Sequence, residues 1–146
     1  MSIADLVQSV ALLVALAALW WQIRESNKLA KLENFRCYTE RFQSIFEHLP
    51  SNVESGEIVL KKMGDAEREP LLRWIRAYFD LCSEEFYLKN SKFLDKKVWK
   101  LWDGGMRDTI NKPLFLEAWP ILQRDGYYAD DFANHVVSIQ AECSDA

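Results

Sequence analysis

Histidine is nearly missing from this sequence. There are two, His48 and His135, far apart, and the three cysteines, Cys37, Cys82 and Cys143, are equally scattered. A structural zinc site needs clustered thiolates or imidazoles, and no pair here forms a CxxC. An odd number of isolated cysteines suits reduced thiols in a cytosolic compartment better than a disulfide framework. No serine or cysteine belongs to a nucleophile motif such as GxSxG. The glycine pair Gly104-Gly105 lacks the following Lys-Ser/Thr of a phosphate-cradling loop. Helical di-metal centres need paired Glu-x-x-His motifs, and the chain has none. Positive charge is not in excess either: 18 Lys+Arg against 22 Asp+Glu leave a net charge of -4, which argues against a nucleic-acid partner. Two-residue alternation and hairpin dipeptides are scarce. No internal repeat or low-complexity segment occurs. The expectation is a protein with no cofactor, no metal and no catalytic residue, not an enzyme.

What the chain does have is a long apolar beginning, VALLVALAALWWQIRESNKLAKLENF at residues 10–35. Ile3 to Ile23 is 21 residues, which at helical rise spans roughly 30 Å, the thickness of a hydrocarbon core. Its single charge, Asp5, lies at the outer end. Trp20 and Trp21 fall where an aromatic belt would sit, and Arg24, Lys28, Lys31 and Arg36 follow while nothing basic precedes. The positive-inside rule then places the N-terminus outside and the remainder in the cytoplasm. A cleaved signal fits poorly, because the leading residues lack Lys and Arg. A buried core helix is the other alternative, since the uninterrupted run from Val10 to Trp21 is only 12 residues.

Within this segment Ala4, Gln8, Ala11, Ala15, Ala18 and Gln22 recur at spacings of 4, 3, 4, 3 and 4, while Leu12, Leu16, Leu19 and Ile23 take a bulkier face. Small residues let helices approach closely in lipid, and Gln can hydrogen-bond across the contact. The 3.5-residue repeat implies a left-handed crossing. The stripe is thus a candidate for self-association, although alanine is common in such helices anyway.

No helix breaker appears before Pro50, so residues 24–49 should continue the anchor as one rod, with Phe35, Tyr38, Phe42, Ile45 and Leu49 as its apolar seam. A turn is expected at 50–56 and a short helix or loop over 57–63. A helix over 66–89 follows, with Asp65 as N-cap and Pro70 in about its first turn. Its apolar side is Leu71, Ile75, Tyr78, Phe79, Cys82, Phe86 and Leu88. The next helix, 96–110 after an Asp95 cap, should bury Val98, Trp99, Leu101, Trp102 and Met106. Gly104 and Gly105 suggest a kink or a close helix contact there. A helix begins at Pro113 and reaches Gln123, with Pro120 expected to kink or end it. A final helix covers 128–140 with Phe132, His135, Val136 and Ile139 on one face, and 141–146 should fray. The fold class is all-α: an anchor, residues 1–23, leading into a cytoplasmic domain, 24–146, in a bundle of about five helices.

Two clusters stand out as candidate sites. RWIRAYFDLCSEEF gathers Arg73, Arg76, Asp80, Glu84 and Glu85; Arg76 and Asp80 form an i,i+4 pair, and Asp80 and Glu84 share a face. Paired carboxylates could do acid–base work. An ion-pair network reaching Arg36 or Arg41, or Arg107, is the expected arrangement. Trp99, Trp102 and Trp119 are expected in the core, or, where exposed, in a surface for a protein partner. His135 is expected to pack, and His48 to cap or face solvent.

With the anchor, the stretches FRCYTERF, YFDLCSEEFYL, VWKLWDGGM and LEAWP resemble short uncharacterised bacterial proteins that join one N-terminal membrane helix to a Trp-rich helical cytoplasmic domain. The resemblance implies a bacterial inner-membrane setting and transfers no residue role. The function expected is a membrane-anchored interaction or scaffolding protein that recruits or senses a protein partner. The alternative is a membrane effector of toxin or phage-defence type that oligomerises through the stripe.

Overall fold

The computed structural model describes residues 2–53, 58–126 and 128–144, with the side chains of residues 143 and 144 left aside. Among the described residues it is all-helical. The α-helices are α1 (Ile3–Phe46), α2 (Asp65–Asn90), α3 (Lys96–Ile110), α4 (Pro113–Asp125) and α5 (Asp130–Ser144), and a 3-10 turn spans Leu60–Lys62. The chain divides into two compact units, Met1–Glu40 and Arg41–Ala146.

From Ile3 onward the first unit is one continuous α-helix. Ser2 and Asp5 open α1 reciprocally: Ala4 N–H donates to Ser2 Oγ at 3.1 Å, and Ser2 N–H donates to Asp5 Oδ2 at 2.8 Å. This arrangement satisfies N–H groups that have no intrahelical partner, and it puts a carboxylate at the positive end of the helix dipole. No part of the apolar window of α1 is buried, and α1 is long and apolar enough to cross a membrane.

The second unit packs around α2 and α4. The last turns of α1 bring Phe42 and Phe46 against Tyr78 at ring-centroid distances of 6.3 and 5.7 Å, with Ile45 buried beside them. Tyr78, Phe79, Phe115 and Trp119 then form a continuous aromatic core, from 5.1 Å between Tyr78 and Phe115 to 4.8 Å between Phe79 and Trp119. α3 packs on α2, α4 and α5, and the 3-10 turn packs on α4. The turn is tied by Glu117 Oε2, which accepts from Leu60 N–H at 2.9 Å.

Several boundaries shift for local reasons. α1 ends at Phe46, where His48 Nδ1 meets the Ser44 carbonyl at 2.7 Å and the imidazole stacks on Trp74 at 3.9 Å. Gly64, not Asp65, is the N-cap of α2. Asp65 takes the first helical position and holds Arg68, so Pro70 lies deeper than expected. Asp95 does cap α3, its carboxylate accepting from Lys97 N–H at 2.8 Å. α4 runs through Pro120 to Asp125. The carbonyl this proline leaves unbonded belongs to Leu116, and both residues lie on the solvent side, where water can serve it. α5 begins two residues late and continues through Ser144, so 141–144 is helical. The expected short helix reduces to one 3-10 turn, and residue 57, like 54–56 of the expected turn, lies outside the described residues. Gly104 and Gly105 are exposed with open space beside them, so they mark neither a break nor a close helix contact. Leu101 is exposed rather than buried.

Candidate functional site

The six-residue stripe Ala4, Gln8, Ala11, Ala15, Ala18 and Gln22 lies on α1, and every member is exposed. The bulky residues Leu12, Leu16, Leu19 and Ile23 are exposed too. The Arg24 guanidinium sits 5.3 Å from the Trp20 ring centre one turn earlier on the helix, a cation–π contact.

The candidate polar residues fall into distinct groups, Arg36 within the first unit and the others within the second. Arg36 turns to its own helix, 2.8 Å from Glu33 and 3.7 Å from Glu40. Arg107 joins Asp103 at 2.7 Å and also Glu142. Arg76 forms no ion pair with Asp80 among the described residues. Asp80 instead accepts from the Tyr128 hydroxyl at 2.9 Å, and burial, then this carboxylate, push the Tyr128 hydroxyl up in pKa. The helical spacing was a sound guide to shared faces. What it could not supply was the neighbour each face meets.

Glu84 and Glu85 are adjacent yet differ sharply. Glu84 takes the Arg41 guanidinium in a two-pronged grip, Nη1 to Oε2 at 2.6 Å and Nη2 to Oε1 at 3.0 Å. Such bidentate geometry is the strong form of the pair. Glu85 is only 8% exposed. Burial raises its pKa to about 7, Arg41 opposes the rise, and Glu84 adds to it. Cys82, fully buried one turn away, has its thiol pushed well up, by burial first and by Glu85 second. A protonated, enclosed thiol is a poor nucleophile.

The grouping that the sequence concealed joins α3 to α5. His135 Nε2 lies 3.0 Å from Asp103 Oδ1, while Arg107 Nε reaches the other oxygen, Oδ2. A carboxylate acceptor there sets the tautomer: Nε2 carries the proton and donates. The imidazole stacks on Phe86 at 4.8 Å, beside Trp99 at 5.9 Å. Lys89 Nζ sits over the Phe86 and Trp99 rings, 4.9 and 5.5 Å from their centres. Burial lowers the His135 pKa, with Asp103 opposing. Ser138 Oγ, three residues on, donates to the His135 backbone carbonyl at 2.7 Å and not to the ring. The evident work of the Asp–His pair is to fix α5 on α3. In the sequence Arg107 was expected as a partner of the α2 carboxylates; the structure joins it to Asp103 instead, with His135 on the other carboxylate oxygen.

Of the three tryptophans, Trp119 is 2% exposed and belongs to the core, so it offers no partner surface. Its ring lies between Phe79 and Tyr128, 5.2 Å from the latter. Trp99 and Trp102 are half-buried. Among the described residues no three His, Cys, Asp or Glu side chains gather as metal ligands would.

Comparison of the chain with protein-family models, curated proteins and solved structures finds no match.

Proposed function

We propose that residues 3–23 anchor the chain in a bacterial inner membrane, N-terminus outside, and that the helical domain recruits or senses a protein partner at the cytoplasmic face. One observation carries this reading: a 21-residue, predominantly apolar stretch of α1 with no part of its apolar window buried. In water each fully exposed leucine forgoes about 1.5–3 kcal/mol that burial would return. A bilayer supplies that burial along the whole length, and the basic residues after Ile23 favour the cytoplasmic side. Half-buried Trp99 and Trp102, of a residue type enriched in binding hot spots, support a protein partner.

The test is carbonate extraction of cell membranes together with protease accessibility of a C-terminal tag in spheroplasts. Retention in the membrane with a protected tag is expected. A washed-off, soluble chain would refute the anchor, and a digested tag would reverse its orientation.

Gln8 and Gln22 on the alanine stripe favour a second reading, an anchor that self-associates and perturbs the bilayer. In a cysteine-free background, cysteines at Ala11 should crosslink more efficiently than at Leu12. Equal yields would remove the stripe from the argument, and induction without loss of growth or membrane potential would remove the effector.

A further inference from the structure

Between the first turns of α2 and the last turns of α4 lies a cleft of about 390 Å³. Arg68, Arg73 and Arg76 approach it from α2, and Arg124 approaches from α4. Its apolar floor includes Leu72 and Leu122, both buried. Glu69 and Asp125 are the carboxylates of its lining, so four guanidinium groups face two acids, a local balance of +2 in a chain of net charge -4.

Stability does not account for this arrangement. Like charges gathered in one cleft repel. Arg68 is occupied by Asp65, and Arg124 touches its own neighbour Asp125 at 3.4 Å. Arg73 and Arg76, one turn apart and both lining the cleft, have no ion pair or hydrogen bond among the described residues. Arg73 is exposed and Arg76 half-buried, so the Arg76 charge is held partly out of water with no protein anion on it among the described residues. Planar guanidinium forks match phosphate oxygens in pairs, which a lysine ammonium cannot do. The volume lies at the lower end of the range for small-molecule sites, and the apolar floor offers a surface to whatever carries the phosphate.

We propose that this cleft binds a small phosphate-bearing anion, with Arg73 and Arg76 as its principal ligands and Leu72 and Leu122 under the non-phosphate part. The ligand is a phosphate ester or diphosphate, drawn either from a soluble nucleotide or from a lipid headgroup. The proposal does not depend on where α1 resides, because every lining residue lies in the second unit.

The test uses the full chain purified in an uncharged detergent at about 0.15 M salt, where weak surface charge attraction is largely screened. Inorganic pyrophosphate, a nucleoside diphosphate and dihexanoyl phosphatidic acid are titrated by calorimetry. Saturable one-site binding is expected for at least one probe. Arg73→Ala and Arg76→Ala should each weaken it about tenfold or more. Arg76→Lys should keep the charge yet lose most of the affinity. Tighter binding of the nucleoside diphosphate would identify a soluble ligand, and tighter binding of the phosphatidic acid a headgroup. Helix content and unfolding midpoint of each variant separate lost binding from lost folding, and relief of repulsion should leave the midpoint unchanged or higher. No saturable binding of any probe would overturn the proposal, as would binding that survives in Arg73→Ala/Arg76→Ala.

Discussion

Leu12, Leu16 and Leu19 of α1 keep 61%, 54% and 54% of their surface, whereas Leu71, Leu81 and Leu114 of the second unit keep 6%, 1% and 1%. One residue type thus serves two environments in a single chain. The second unit supplies its own apolar surroundings: aromatic rings interlock from Phe42 to Phe132, and its buried side chains come from every helix of the unit. The apolar part of α1 is helical by local rules alone, with a reciprocal cap, alanines and leucines, and no glycine or proline before Pro50. All five glycines and all four prolines belong to the remainder, from Pro50 onward. A region that folds by tertiary packing tolerates weak local preferences, and one without such packing has to satisfy them.

The largest effect that sharpens this contrast is a paired truncation. Trp119→Ala removes a ring packed 4.8 Å from Phe79 and 6.1 Å from Phe132, and should cost about 3–5 kcal/mol. Leu16→Ala should change the unfolding free energy of the detergent-solubilised chain by less than about 0.5 kcal/mol. Urea unfolding followed by far-UV circular dichroism measures both. Comparable losses would mean that α1 is packed against protein, and the contrast would fall.

The next effect lies within α2, where two neighbouring glutamates repeat the contrast on a smaller scale. Glu85 has a folded pKa of about 7 against an ordinary 4.5. The folded state therefore holds a proton that the unfolded chain releases between those values, and stability declines as pH rises through that window. Above it the buried carboxylate costs an upper bound of roughly 3 kcal/mol. Glu85→Gln should raise stability by up to that amount at pH 8 and bring little at pH 4.5. A gain independent of pH would contradict the assignment. Glu84→Gln loses an Arg41 pair that is nearly half exposed on both sides, so it should cost only about 0.5 kcal/mol. His135 runs the other way: with its pKa lowered, the unfolded chain takes up a proton first, so stability falls as pH drops below the usual imidazole range.

The helices were legible because each signals itself over short distances: the Asp95 cap, the Pro113 start and the seam of Phe42, Ile45 and Leu49 are local facts. The sites were legible only in fragments. Arg76, Asp80 and Glu84 announced shared helical faces, yet which face meets Tyr128, which meets Arg41 and which opens into a cleft depends on helices brought from 40 or more residues away. Arg124 is the plainest case, since nothing near it in the chain suggests that it lines one cleft with Arg68, Arg73 and Arg76. Glu85 stood in the sequence only as one member of the polar cluster, and its burial shows only in the folded unit.

The smallest effects test whether local rules are relaxed in the packed unit. After α2 the chain turns at Lys92, which has φ of 61°. Phe93 N–H bonds to the Leu88 carbonyl at 3.0 Å and Lys92 N–H to that of Lys89 at 3.1 Å, a pattern that usually carries glycine at the left-handed position. A lysine there sustains the steric strain of its Cβ. Gly104 presents the reverse: it lies in mid-helix with nothing within 4 Å of an added Cβ, so it bears glycine's entropic cost without using its freedom. Gly104→Ala should stabilise by about 1 kcal/mol, and Lys92→Gly by about 0.5–1 kcal/mol. A Cβ added at Gly104 meets nothing within 4 Å, so the double variant should show the sum of the two gains in its urea midpoint. Gains at both would mean that packing in this unit outweighs residues that local preference disfavours. A loss at Gly104 would instead reveal a requirement for a bare backbone there, of the kind an approaching partner imposes.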